Sequence, residues 1–292
     1  MSLTKAQTQK LLELKNKFDK LKVGKENILK IIDEVEVSES VYNSNAIENS
    51  SLTLSDTEKV LIDLDLSKNT NIREVYEVKN LARIINHLSN KERLPELNEG
   101  MILFLHNILL TGIKDEWAGR FRVIGELVKV GSHIAPAPQL VPSLIETLLK
   151  DYKLFDLKLT HPITKIAKFH LDFETIHPFC DGNGRVGRVL INYQLNSIGL
   201  PSIIIRDSQK ISYYKSFDEY RIDNSTKSMC NVLALAIFES LNKRIAYLEN
   251  RAIVKLSDYI KKNEFSSGNI TNKAKSQTIP AFREKGVWMI GV

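Results

Sequence analysis

"TIHPFCDGNGRVGRVLINYQL", residues 175–195, places one histidine, one aspartate, a Gly-Asn-Gly run and two arginines within twelve residues, His177 to Arg188. Before it, "HPITKIAKFHLDFETIHPF" sets Ile163, Ile166, Ala167, His170 and Phe173 near one helical face, with Thr160 or His161 available as cap and Pro162 tolerated in the first turn. Two glycines and an asparagine in "CDGNG" stop that helix. "RVGRVLINYQLNSIG" resumes the helical spacing and ends at Gly199-Leu200-Pro201. The spacing therefore predicts helix, tight glycine loop, helix.

A glycine loop that opens a helix leaves backbone N–H groups converging at the positive end of the dipole, where an anion such as phosphate is held. Gly182 and Gly184 let the backbone approach closely. Arg185 and Arg188, three residues apart, present two planar forks suited to phosphate oxygens, which implies more than one phosphate. Asp181 is a hard oxygen donor of the kind Mg²⁺ takes beside phosphates. A neutral imidazole at His177 can accept a proton from an attacking hydroxyl. Singly, each of these features is an ordinary turn, packed histidine or solvated arginine. Their occurrence together, in this order, points to a nucleotide–Mg²⁺ site with a general base at its edge.

Outward from the loop, apolar residues recur at intervals of three and four in "QTQKLLELKNKFDKL", "NILKIIDEV", "DTEKVLIDL", "IREVYEVKNLARIINHL", "EGMILFLHNILLTG", "VPSLIETLLKDYKLF" and "VLALAIFESLNKRIAYL". One stretch reads as strand: "RFRVIGELVKVGSHIAPAPQL", a short hairpin over about Ile124 to His133 in which Val128 and Val130 alternate with Lys129. Polar, turn-rich "SNKERLPEL" near 90–97 and "NEFSSGN" at 263–269 are candidate boundaries.

At 292 residues and 43% hydrophobic, the chain can bury a sizeable core. Its start lacks the apolar stretch of a secretion signal, and no segment approaches the ~18 apolar residues of a membrane span, so a cytoplasmic location with no membrane partner is expected. Two cysteines, Cys180 and Cys230, are too few for a disulfide framework and read as packing residues. The net charge is +6, of which +5 lies in residues 251–292, with eight Lys/Arg against three Asp/Glu. Any nucleic-acid contact belongs to that tail.

"HPFCDGNGRVGR" resembles in full the signature of the Fic family, His-x-Phe-x-Asp/Glu-Gly-Asn-Gly-Arg-x-x-Arg, and the likeness extends over roughly residues 40 to 240. It implies an all-α fold: a Fic helical core at 96–245 with a short β-hairpin flap, an N-terminal helical region at 1–95 and a small C-terminal module at 246–292. It also implies transfer of AMP from ATP to a Ser, Thr or Tyr hydroxyl of a target protein. On that resemblance His177 is the base and Phe179 anchors the loop. Asp181 holds Mg²⁺ at the α- and β-phosphates. Gly182, Asn183 and Gly184 form the anion nest, and Arg185 and Arg188 clamp the outer phosphates. The nucleotide-binding run is Asp181 to Arg188, Val186 and Gly187 included. The flap residues Val128, Lys129 and Val130 would dock the target.

"SNAIENSSLTLSDTEKVL" then becomes readable. By spacing alone Ser44 and Glu48 are an i,i+4 pair on a short helix. Within the family, Ser44-x-x-x-Glu48-Asn49 resembles the inhibitory motif Ser/Thr-x-x-x-Glu-Gly/Asn, with Glu48 pairing Arg188. The tail resembles the later part of a winged helix: "RAIVKLSDYIKKN" as a helix, and "EKGVWMI" as a first wing strand. Against DNA binding, Pro280 is expected to interrupt the recognition helix, and the chain to end where a second wing strand should begin. The partners expected are a target hydroxyl, the protein's own hydroxyls, a second copy in a homo-oligomer and, through the tail, DNA. Transfer of another nucleotide, removal of AMP assisted by Glu48, and a nucleotide-sensing DNA-binding regulator are the competing functions.

Overall fold

Helical spacing becomes helix nearly throughout residues 3–64, 71–89, 96–154 and 161–292, which this computed structural model describes. In chain order the helices are α1 (Lys5–Leu21), α2 (Glu26–Ile47), α3 (Leu54–Leu61), α4 (Ile72–Ser89), α5 (Glu99–Leu110), α6 (Val141–Leu154), α7 (Pro162–Ile176), α8 (Asn183–Ser197), α9 (Lys210–Asp223), α10 (Lys227–Leu248), α11 (Leu256–Lys262) and α12 (Ser267–Lys275). Strands β1 (Lys129–Val130) and β2 (His133–Ile134) form a hairpin, and β3 (Ile253–Lys255), β4 (Ala281–Glu284) and β5 (Val287–Gly291) form an antiparallel sheet in the order β3-β5-β4. Among the described residues no helix is long and apolar enough to cross a membrane.

The helices flanking the loop, α7 and α8, are apolar on more than one side because they stand between two cores. Ile163, Ile166, Leu171, Ile191 and Leu195 pack with α1, α9 and α10. Phe169, Phe173, Val186, Val189 and Leu190 pack with residues of α2, α3, α4, α5 and α6. Burying a side chain of this kind contributes about 1.5–3 kcal/mol, so this helix pair is held from both sides. His161 starts α7: its Nδ1 accepts the Ile163 N–H at 3.2 Å, with Pro162 in the first turn. Thr160, the other candidate cap, and residues 90–95 of the first candidate boundary lie outside the described residues.

Several expectations are corrected. Ser44 and Glu48 do not sit on a short helix: they close the 22-residue α2, with Glu48 as its C-cap and Asn49 in the left-handed region at φ 68°. Buried Glu39, Asn43, Ser44 and Asn45 make the hidden face of α2 polar, which masked its length. The hairpin is shifted toward the C-terminus of its expected span. Lys129 pairs Ile134 and Val130 pairs His133, and the Ala135 N–H donates to the Val128 carbonyl. Gly125 belongs to the preceding turn, where the Glu126 N–H donates to Val123.

In the tail, Ile253–Lys255 is strand because β5 pairs with it, and only Leu256–Lys262 is helix. "EKGVWMI" is not a single strand but contains a hairpin turn: β4 and β5 are paired from Ala281↔Ile290 to Glu284↔Val287. Pro280 follows α12 and interrupts nothing. "NEFSSGN" joins α11 to α12 inside this unit, which closes its own small core of Leu256, Ile260, Ile270, Ala274, Ala281 and Ile290. A buried ion network ties the unit to the body. Arg206 pairs Glu39 of α2 and Glu239 of α10, Arg283 of β4 donates to Glu239 at 2.6 Å, and the Gly286 N–H of the β4–β5 turn donates to Glu39 at 3.0 Å.

Candidate active site

The loop between α7 and α8 is fixed from below by aromatic packing and from the sides by backbone hydrogen bonds. Phe179 is fully buried, and its amide and carbonyl exchange hydrogen bonds with the Asn183 side chain, each at 2.9 Å. His106 of α5 stacks on Phe179 with ring centroids 3.6 Å apart. Its Nδ1 accepts the Gly119 N–H at 3.1 Å, so Nε2 carries the proton and donates to the Asp181 carbonyl at 3.1 Å. Burial pushes the His106 pKa down to about 4, which keeps it neutral. Gly182, at φ 82°, has no room for a Cβ, which would stand 2.9 Å from Leu109.

Above this floor the helix N-terminus is open. The Val186 N–H is the first to find a helical acceptor, the Gly182 carbonyl; among the described residues the amides of Asn183, Gly184 and Arg185 have none. Asp181 accepts from Gly182 N–H at 2.6 Å, from Arg185 at 2.9 Å and from Arg73 of α4 at 2.6 Å. Burial works to raise the Asp181 pKa, but Arg185 and Arg73 outweigh it and hold the carboxylate ionised. Glu77 pairs the same two arginines, each at 3.1 Å. Among the described residues no group of three His, Cys, Asp or Glu is placed to hold a metal ion. One ionised carboxylate beside an anion nest suits Mg²⁺ arriving with phosphates.

His177 caps α7 in the left-handed region, φ 48°, a conformation few non-glycine residues adopt. Arg122 holds it there. The Nε of Arg122 donates to the His177 carbonyl at 2.7 Å, and its Nη2 donates to Ile176 at 3.1 Å and to Pro136, beyond the hairpin, at 2.7 Å. Cys180, three residues on, is pushed up to about 11 by burial and by Glu126, and so remains a thiol at neutral pH.

Arg188 turns away from Arg185. Its Nε donates to Ser44 Oγ at 2.9 Å, and its Nη2 donates to the Ser44 carbonyl and to Glu48 Oε1, both at 2.8 Å. Burial opposes its charge, yet Glu48 and Tyr213 outweigh burial and hold the guanidinium cationic. The Glu48 carboxylate also lies over Gly184, where a Cβ would collide with it. A negative group therefore sits at the first turn of α8, at the positive end of its dipole. Asn49 lets the chain leave the helix left-handed, which explains Gly or Asn at that place.

These features coincide with what comparison finds. Residues 96–195 match the family model described as Fic/DOC family. The loop, α7 and α8 as far as Leu195 lie inside the stretch that resembles that family. It is 31% identical over 182 residues to the protein adenylyltransferase Fic of Nematostella vectensis, covering 61% of this chain and 42% of that one. It is 28% identical over 245 residues to the protein adenylyltransferase fic-1 of Caenorhabditis elegans, covering 82% and 44%. The chain thus spans less than half the length of these curated relatives. A Fic domain containing signaling protein from Bacteroides thetaiotaomicron superposes with TM-score 0.73 at 25% identity, over 83% of this chain and 98% of that one. A Fic family protein from Desulfovibrio desulfuricans G20 superposes with TM-score 0.70 at 21% identity, over 100% and 97%, and shows the fold.

Within the loop, two expected ligand residues, Val186 and Gly187, face the core, and Asn183 offers its amide alone. The Asn183 side chain is spent on Phe179, so only its amide is open. Val186 is fully buried in the core, and Gly187 packs against His170 and Glu174. In the flap, Val128 and Val130 are half-buried, whereas Lys129 and the apolar Ile124, Leu127 and Ile134 are exposed. Arg73, Glu77, His106 and Arg122 were not read from the sequence: each comes from an element distant in the chain. Glu174 had a signal, since it stands three residues before His177 and therefore on its side of α7.

Proposed function

We propose that this protein transfers AMP from ATP to a hydroxyl side chain of a protein and is restrained by Glu48. The observation that carries this reading is the Glu48 carboxylate resting on both Arg188 and the first turn of α8. An anion occupies the place built for an anion. With Glu48 withdrawn, the amides of Asn183, Gly184 and Arg185, together with Arg188, are free for phosphate oxygens. Asp181 would hold Mg²⁺, which neutralises phosphate charge when bound.

The transfer balances simply. The hydroxyl oxygen attacks the α-phosphorus while His177 takes its proton, the bond to the bridging oxygen breaks, and the electron pair leaves with pyrophosphate. The residues of this chain contribute position and charge. The hairpin offers a free edge beside His177, and the exposed Ile124, Leu127 and Ile134 give a target segment apolar contacts next to main-chain hydrogen bonds. The β4–β5 turn is engaged within the protein and not turned toward DNA: Gly286 bonds Glu39, and Lys285 pairs Glu58 at 2.8 Å.

The test is intact-mass analysis of the wild type and of Glu48→Gly after incubation with ATP, GTP or UTP, with a hydroxyl-rich protein mixture as acceptor. A gain of one AMP, from ATP with Mg²⁺ and absent in EDTA, is the expected result. A gain of UMP or GMP would move the reading to another nucleotide, and loss of a pre-existing AMP to the removal reaction.

A further inference from the structure

Behind the loop lies a carboxylate that the transfer reading does not use. Glu174 is buried, and its Oε2 lies 3.6 Å from Nδ1 of His177. That separation is a few tenths of an ångström outside hydrogen-bond range. Neither His177 Nδ1 nor Glu174 Oε1 has another hydrogen-bond partner. A buried carboxylate left this bare is costly unless a charge or donor answers it. The backbone makes room for it: a Cβ on Gly187 would stand 2.8 Å from Glu174 Oε1 and 2.7 Å from His170 Cε1. Nδ1 is thus the inward nitrogen of the His177 ring, while Arg122 and the Phe173 carbonyl fix the backbone that carries it.

We infer that Glu174 is a positioning residue, whose carboxylate accepts the Nδ1–H of His177 and so leaves Nε2 unprotonated toward the attacking hydroxyl. When the hydroxyl proton moves to Nε2, the same carboxylate faces the imidazolium and stabilises it without taking the proton. The charged and titratable groups around the pair come from every neighbouring element: His170 on α7, Arg188 on α8, Tyr213, Tyr214 and Arg221 on α9, and His133 on β2. Burial works to raise the Glu174 pKa, but His177, His170 and Arg188 outweigh it, so the carboxylate is ionised when His177 needs it. His170 does not compete, since burial pushes it down to about 4 and its Nε2 is engaged by the Tyr213 hydroxyl at 2.7 Å.

The inference rests on the transfer reading for its catalytic meaning, and the experiment separates the two. In the Glu48→Gly background, Glu174→Gln keeps the shape and removes the charge, and its amide donates to Nδ1 and favours the wrong tautomer. The expected result is a loss of about 100-fold in kcat with KM for ATP unchanged, and an acid limb of the pH profile moved about one unit lower. Nitrogen-15 spectra of ring-labelled histidine, with the His177 signals assigned by their loss in His177→Ala, should show the Nδ1–H form in the parent protein. Parental kcat and pH profile in Glu174→Gln would overturn the inference, as would an Nε2–H tautomer in the parent. The parent spectrum decides even if Glu174→Gln does not fold. If Glu48→Gly transfers no nucleotide, the transfer reading fails while the tautomer still reports on the pair.

Discussion

Among the buried arginine-centred clusters of the described residues, the one around Arg206 and the one around the glycine loop treat hydrogen bonds differently. Around Arg206 every charged group is answered: Glu39, Glu239, Arg283 and the Gly286 amide close the network, and none of its atoms is orphaned. Around the glycine loop the reverse holds, because Arg188 Nη1, Arg185 Nε, His177 Nδ1 and Glu174 Oε1 are all buried without a partner. A cluster that only holds helices together gains by saturating its donors. One that must receive a ligand keeps donors unspent, and the fold around it carries the cost.

The largest effect expected on the open side is from His177→Ala. Removing a general base costs about 10²- to 10⁴-fold in rate, while ATP binding, measured by calorimetry in the Glu48→Gly background, should persist. Undiminished labelling would strip the loop of its catalytic reading. On the closed side, Glu239→Ala leaves Arg206 and Arg283 facing each other with Glu39 alone. Breaking such a buried network should cost about 3–5 kcal/mol in urea unfolding. A loss below 1 kcal/mol would mean that the closed cluster is not structural after all.

Glu48→Gly lies between the two. Its contact with Arg188 is charge-assisted but part-exposed, 35% on the Glu48 side chain. Solvent screening puts it toward the lower end of about 1.5–3 kcal/mol, or roughly one order of magnitude in AMP transfer. Arg188→Ala should be inactive with or without Glu48→Gly. Equal transfer by wild type and Glu48→Gly would return Glu48 to being a helix cap.

A further effect is graded with pH. His106 and His170 are both pushed down to about 4 by burial, from 6.5. The unfolded chain takes up these protons first, so stability is whole above pH 6.5 and drains toward pH 4, at about 1.4 kcal/mol per unit for each histidine. Urea midpoints that stay level from pH 7 to 5 would contradict the neutral, buried assignment of both.

How far the sequence could be read follows the same division. The loop was readable because its chemistry is compressed into one run from His177 to Arg188, and the helices because apolar spacing is local. Helix α9 was missed: its buried face is Tyr213, Phe217 and Tyr220, while Ile211 and Ile222 point outward, so the apolar pattern blurs. Strand β3 is three residues long and owes its conformation to β5. Arg73, Glu77, His106 and Arg122 reach the loop only through tertiary packing, which no spacing in the chain displays. The closed cluster was unreadable for the same reason, since Glu39, Arg206, Glu239 and Arg283 come from four separate segments.

The Gly286 amide grips α2 at Glu39, and α2 presents Glu48 to the nest nine residues later. At 1.5 Å per residue these two points are about 13 Å apart on one stiff rod. The C-terminal sheet and the turn that Glu48 covers are therefore tied to two points of one helix, and Arg206 clamps that helix at the residue the sheet grips.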